Sequence, residues 1–151
     1  MHRMQSMAPW RQICLNCGMH KTHSLPIRVY YEDTDAAGIV YHASYLRFAE
    51  RGRTEMLRDA GFAHAEILKS QGVAFTVISM QINFRSPAKL DELLDVKTVM
   101  KAVKGASMEM EQQIYRGDTL LVDMSLKIAC IDKNGKAARL PEAVRELFKN
   151  T

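Results

Sequence analysis

The run Tyr31-Glu32-Asp33-Thr34-Asp35-Ala36-Ala37-Gly38-Ile39-Val40-Tyr41-His42 holds the residue types and spacing best suited to chemistry. Asp35 stands at the end of a strand-like segment, a glycine follows three residues later, and His42 falls seven residues past the carboxylate, where a helical pattern begins. This order aims an acidic side chain and the unpaired N–H groups of a helix start at one point. A carboxylate can attack a carbonyl carbon or activate a water, and an N–H donor can stabilise the charge that develops on oxygen. Gly38 is placed to supply a positive φ that turns the chain from strand to helix. Each residue also has a plainer reading. Asp35 alone fits a turn or cap, Tyr31 and the His42 ring fit packing as well as substrate contact, and Glu32 and Asp33 read as solvated strand-end charges.

These residues need a scaffold. A first strand is expected over 27–32. Over 44–61, Tyr45, Leu46, Phe48, Ala49, Gly52, Met56, Leu57 and Ala60 recur near helical spacing, with Arg47, Glu50, Arg51, Glu55, Arg58 and Asp59 on the other faces. Gly52 should cost such a helix about 1 kcal/mol relative to alanine, which suggests that another backbone approaches it. A second helical patch covers 63–70. Strands are expected over 74–84 (Ile78, Met80, Ile82 and Phe84 on one face), 94–104, 107–116 (Met108, Met110, Gln112 and Ile114 inward) and 120–131, with turns at Lys104-Gly105, Arg116-Gly117-Asp118 and Asn134-Gly135. Pro141 opens a short amphipathic helix containing Ala143, Val144, Leu147 and Phe148. One strand, one long helix and a meander of four strands give an α+β fold in which a curved antiparallel sheet wraps the helix. Its open edges favour edge-to-edge pairing of two copies.

Composition narrows the classes. The chain of 151 residues suits one domain, and 47% hydrophobic and 25% charged residues are ordinary for a globular protein. No apolar run approaches the roughly 18 residues of a membrane span, and the absence of a secretory signal pattern makes the cytoplasm the expected location. The net charge of +4 is concentrated in residues 1–26, where Arg3, Arg11 and Lys21 face no acid; the rest balances 18 basic against 17 acidic residues, a net of +1. That excludes a nucleic-acid footprint as the leading reading. Residues 1–26 read as a disordered or non-native extension, with Met19 as an alternative start. The order Cys14-x-x-Cys17-x-x-His20-x-x-His23 packs four potential zinc ligands into ten residues and leaves nothing to fold round a metal, so no metal is expected. Cys130 reads as a small core hydrophobe.

The motif Tyr31-Glu32-Asp33-Thr34-Asp35-x-x-Gly38-Ile39-Val40-Tyr41-His42-x-x-Tyr45 resembles the signature of the hotdog-fold thioesterases of the 4-hydroxybenzoyl-CoA thioesterase family, and within it most resembles the bacterial tol–pal-associated acyl-CoA thioesterases. Glu50-Arg51-x-Arg53-Thr54-Glu55-Met56-Leu57 and Phe84-x-x-Pro87-Ala88-x-Leu90-Asp91-Glu92 extend the likeness, which covers about residues 27–149.

The resemblance implies a helix wrapped by a sheet, homodimers that often pair into homotetramers, sites at the dimer interface, and hydrolysis of acyl-CoA without a metal or cofactor. Asp35 matches the catalytic aspartate, as nucleophile or general base, and the His42 N–H matches the oxyanion donor. Tyr31 joins them, with Gly38, Val40 and Tyr41 beside the substrate. Coenzyme A carries several phosphates, so a basic cluster is expected, and Arg85, Lys89, Lys101, Lys104 and Ser107 are candidates at strand ends and turns. The alternative is a module that binds acyl-CoA or acyl carrier protein without hydrolysis; a hotdog dehydratase is a more distant third.

Overall fold

The computed structural model describes residues 21–149. Five antiparallel strands, β1 (Thr22–Arg28), β2 (Val73–Phe84), β3 (Leu93–Val103), β4 (Ser107–Arg116) and β5 (Thr119–Asp132), form one sheet in the order β1-β3-β4-β5-β2. Helix α1 (Ser44–Asp59) fills the concave side, α2 (His64–Gln71) leads into β2, and α3 (Glu142–Lys149) closes the chain beside β3. This is the α+β arrangement expected, a sheet curved round one helix. Alternation made β4 and β5 readable: Met108, Met110, Gln112 and Ile114 are buried, and so are Val122, Met124, Leu126, Ile128 and Cys130. Burial pushes the Cys130 thiol pKa up, which suits an unreactive core residue.

The topology departs from the expected four-strand meander. Only β3, β4 and β5 follow one another as hairpins; β2 pairs with β5 and stands at the far edge among the described residues. A bulge explains why strict alternation misread it. The register shifts between Val77 and Ser79, so Val77 rather than Ile78 joins Phe75, Met80, Ile82 and Phe84 opposite the buried residues of β5. Helix α1 lies chiefly over β1 and β3. The inner face of β2 is consequently thinly covered, and Phe84 remains 51% exposed.

The first strand also differs. It begins at Thr22, taking in residues 22–26 that were expected to belong to the extension, and ends at Arg28; Pro26 is tolerated because β1 is an edge strand. Tyr31–Asp33 forms a 3₁₀ turn instead of continuing the strand. The Asp33 carboxylate causes this: it accepts the Tyr30 N–H at 2.8 Å and is 3% exposed. Asp33 is thus a buried cap, not a solvated charge. Of the Cys-x-x-Cys-x-x-His-x-x-His run, Cys14, Cys17 and His20 lie outside the described residues, while His23 Nε2 sits 2.9 Å from Asp59 Oδ2.

Helix and sheet are joined by a buried polar network. Arg53 Nη1 donates to Gln112 Oε1 (2.8 Å), and Gln112 Nε2 donates to Ala49 O and Thr98 Oγ1, both at 2.9 Å. Arg53 also pairs with Glu50. Gly52 lies at the closest approach, where a Cβ would sit 2.8 Å from Val96 Cγ1 and 3.1 Å from both Gln112 Nε2 and Thr98 Oγ1. The glycine is therefore required by side chains of β3 and β4, not by a neighbouring backbone. Replacing Gln112 with leucine removes the acceptor of the buried Arg53 Nη1 and the donor shared by Ala49 O and Thr98 Oγ1, leaving Arg53 its pair with Glu50. Urea denaturation of Gln112→Leu should show a loss of about 2–4 kcal/mol; an unchanged midpoint would contradict this role.

Candidate active site

The segment carrying Asp35 folds back on itself as a tight hairpin. Thr34 and Val40 form an isolated antiparallel bridge, the Asp35 N–H donates to Ile39 O (3.0 Å), and the Tyr41 N–H donates to Asp33 O (2.8 Å). At the tip, the Gly38 N–H donates to Asp35 O (3.0 Å) and the Ala37 N–H donates to Asp35 Oδ1 (2.8 Å). Gly38 has φ +77°, with nothing within 4 Å of a notional Cβ. The glycine is needed for its backbone angle, as expected, not for space. Asp35 therefore stands on a bridge-and-turn instead of a strand end, with one carboxylate oxygen already engaged by the turn.

A second segment, residues 85–92, fixes this hairpin from outside. Val40 N–H donates to Ala88 O (2.9 Å), Ile39 bridges Lys89, and the Ala88 N–H donates to the Tyr45 hydroxyl (2.9 Å). Tyr45 is 3% exposed, and burial pushes its hydroxyl pKa up, so it stays protonated. Glu92 Oε2 accepts the Lys89 N–H (2.9 Å) and Arg116 Nη1 (3.0 Å), while Arg116 also donates to Pro87 O (3.1 Å).

His42 lies just ahead of the helix and not inside it, because α1 begins at Ser44 and the Ser44 N–H closes a turn on Tyr41 O (2.8 Å). Ala43 already has helical angles, φ −70° and ψ −20°, so the spiral and the direction of its dipole continue back toward His42. None of the turn and cap hydrogen bonds among the described residues uses the His42 N–H. The His42 ring stacks at a tilt on Tyr41 (centroids 4.5 Å apart) and meets Phe84 edge-on (6.3 Å).

Asp35 and His42 face adjoining depressions, not a single cleft. Tyr31, Thr34, Asp35, Ala36, Gly38 and Leu90 line an open one of about 520 Å³. Ile39, Val40, His42, Tyr45, Phe84 and Pro87 line most of another, of about 260 Å³. The hairpin backbone separates them. In the protomer, Tyr31, Asp35 and Gly38 thus come together, as do Val40, His42 and Arg85; Tyr41 stacks beside the second group. Lys89 is exposed next to the first. Arg85 is engaged with Asp123, whose carboxyl pKa is held down by Arg85 and then by Asn83.

Lys104 and Ser107 are elsewhere. They flank the β3–β4 turn, and β3 runs away from the Leu90 end for its full length, about 33 Å at strand spacing. Lys104 pairs there with Glu109 at 3.1 Å, near a hollow of about 370 Å³ lined in part by Lys101, Arg145 and Phe148. No single protomer brings this cluster to Asp35. Among the described residues no group of three or more His, Cys, Asp or Glu could hold a metal ion, and no helix is long and apolar enough to cross a membrane.

The sequence matches the thioesterase-like superfamily over residues 29–148. The chain belongs to that superfamily. It is 45% identical over 126 residues to the acyl-CoA thioesterase YbgC of Haemophilus influenzae, covering 83% of this chain and 93% of that one. It is 42% identical over 126 residues to the acyl-CoA thioester hydrolase YbgC of Escherichia coli O6:H1, covering 82% and 93%. A crystal structure of a probable thioesterase from Bartonella henselae superposes with a TM-score of 0.78 at 46% identity, covering 80% of this chain and 99% of that chain. The hotdog architecture expected from the motif is the one observed. Three supports of the thioesterase hairpin escaped the sequence reading: Asp33, Ala88 and the Glu92–Arg116 pair. Asp33, Ala88 and Glu92 stand in the motifs that carry the family resemblance, but their structural roles were not legible: Asp33 read as a solvated charge, Glu92 as one acid among several, and Ala88 acts only through its backbone.

The Glu92 pair gives a pH test. Partial desolvation would raise its pKa, but the Lys89 N–H and Arg116 outweigh it and hold the carboxyl below its usual 4.5. A depressed folded pKa adds stability above the unfolded value and loses it as pH falls through the folded one. Between pH 6 and 3 the melting temperature should fall more steeply in the native chain than in Glu92→Gln, and equal slopes would contradict the pairing.

Proposed function

We propose that this chain hydrolyses acyl-CoA thioesters to a free carboxylic acid and coenzyme A. Asp35 acts as nucleophile or general base, and the His42 N–H receives the thioester oxygen. The observation that carries this reading is the hairpin pinned by the Thr34–Val40 bridge, which holds a carboxylate and an uncommitted N–H on two sides of one short ridge. Asp35 lies opposite Ile39, and the chain from Ile39 to His42 spans at most roughly 10 Å, less because residues 41–44 turn into the helix. For one thioester carbonyl to meet both groups, the Asp35 carboxylate must reach across the ridge toward the His42 nitrogen. Thioesters need little help with the leaving group, because a thiol ionises near pH 8.5; the demand is for an oriented attack and an oxyanion donor worth about 3 kcal/mol.

The phosphate-binding side of the proposal needs a second copy. Two chains paired antiparallel through their β2 edges would place the Val73 end of one beside the Phe84 end of the other. The β3–β4 turn lies at the Val73 end of the sheet, since Val73 pairs with Asp132 and Ser107 with Ala129. A homodimer of this kind carries one copy's Lys101, Lys104 and Ser107 toward the other copy's Asp35, and supplies the cover that the inner face of β2 lacks. Each protomer would then give its carboxylate to one site and its cations to the other.

The deciding experiment is single-turnover thiol release from acyl-CoA by the purified chain. Asp35→Asn keeps the size and the acceptor that the Ala37 N–H needs, yet removes the anionic oxygen. It should lower the rate at least a hundredfold; retained activity would overturn the assignment of Asp35, and binding without any thiol release by the native chain would favour a non-hydrolytic module.

A further inference from the structure

We propose that Phe84 determines which acyl groups this site accepts, an inference that rests on the thioesterase reading above. The depression beside His42 has an apolar lining of Ile39, Val40, the Tyr45 ring, Phe84 and Pro87. The surface it exposes is mostly apolar, and several of its polar groups are engaged within the protein. The Tyr45 hydroxyl takes the Ala88 N–H, Arg85 is paired with Asp123, and the Arg85 and Ser86 N–H groups both donate to Leu121 O, at 2.8 and 3.2 Å. A pantetheine arm, with two amides, would lose hydration against this mostly apolar surface. Hydrocarbon loses nothing. The depression is therefore suited to the acyl side of the thioester, with the carbonyl at its His42 rim and the first acyl carbons inside.

Within that lining Phe84 differs from its neighbours. Val40 and Tyr45 are buried structural members, whereas Phe84 ends an edge strand with half its surface open. Its ring is held by Tyr45 (5.9 Å, tilted) and by His42 (6.3 Å, edge-on). Its backbone is fixed opposite Val122, so the ring is a wall of defined position that stands against the group beside the proposed oxyanion donor. Neither the Ala88–Tyr45 nor the Val40–Ala88 hydrogen bond uses the Phe84 side chain. Its size then sets the bulk tolerated next to the carbonyl, and selects straight acyl groups over branched or aromatic ones.

The test compares benzoyl-CoA and 2-methylpropanoyl-CoA with butanoyl-CoA as substrates of the full chain and of Phe84→Ala and Phe84→Trp, following thiol release. Phe84→Ala should raise kcat/KM for the bulky substrates relative to butanoyl-CoA at least tenfold, and Phe84→Trp should lower it by a similar factor. Inhibition by free coenzyme A should stay within twofold of the native value. Size-exclusion chromatography separates this effect from altered assembly, and Phe84→Leu replaces the alanine variant should that one fail to fold. Unchanged substrate ratios would overturn the proposal, as would weaker coenzyme A inhibition at constant ratios, which would put Phe84 on the coenzyme A side. Absence of hydrolysis of every substrate by the native chain would instead remove the thioesterase reading, and this proposal with it.

Discussion

The main chain of Ala88 holds together the three segments on which the site depends. Its carbonyl accepts the Val40 N–H of the hairpin, and its N–H is taken by the Tyr45 hydroxyl on α1. Ala88 is fully buried, so neither bond competes with bulk water and neither group can be left unpaired without a cost of about 1–3 kcal/mol. The consequence is positional. Asp35 lies on a hairpin that would otherwise be an exposed loop, and His42 lies at the foot of a helix; the main chain of one residue ties the two together. The Glu92–Arg116 pair and the Asp33 cap then stiffen the two ends of the same assembly.

A second constraint is the distribution of apolar cover. The long helix packs over one half of the sheet, through a network in which Gln112 satisfies Arg53, Thr98 and the Ala49 carbonyl together. Gly52 permits that contact to be close. The other half of the concave face is thinly covered, and there the bulged edge strand β2 ends at Phe84 beside His42. The thin cover of the protomer and the depression beside His42 are thus the same feature, and under the proposed function the pairing of two β2 edges would complete both core and site.

Much of this could be read from residues alone, for physical reasons that also explain the misses. The alternation in β4 and the helical stripe from Tyr45 to Leu57 are periodic signals repeated over many residues, and they identified the inward faces, including Gln112. Gly38 was legible because only a few backbone geometries connect a reversed chain to a helix start. Single residues that break a period were not legible. The bulge at Ile78 reassigned the face of Val77, and the Asp33 carboxylate turned an expected strand into a 3₁₀ turn. The order of strands could not be inferred because β2 and β3 are adjacent in sequence yet lie apart in the sheet. For the same reason Lys104 and Ser107 read as neighbours of the site, although the length of β3 separates them from Asp35 within one chain.

The most direct measurement is a crystal structure of the protein with an acyl-CoA analogue in which a methylene replaces the sulfur, leaving a ketone that cannot be hydrolysed. The account predicts the ketone oxygen about 2.7–3.1 Å from the His42 nitrogen and the Asp35 carboxylate within about 3.5 Å of the carbonyl carbon, directly or through one water. A ketone bound with its oxygen on another donor, or with Asp35 turned away from the carbonyl, would contradict it.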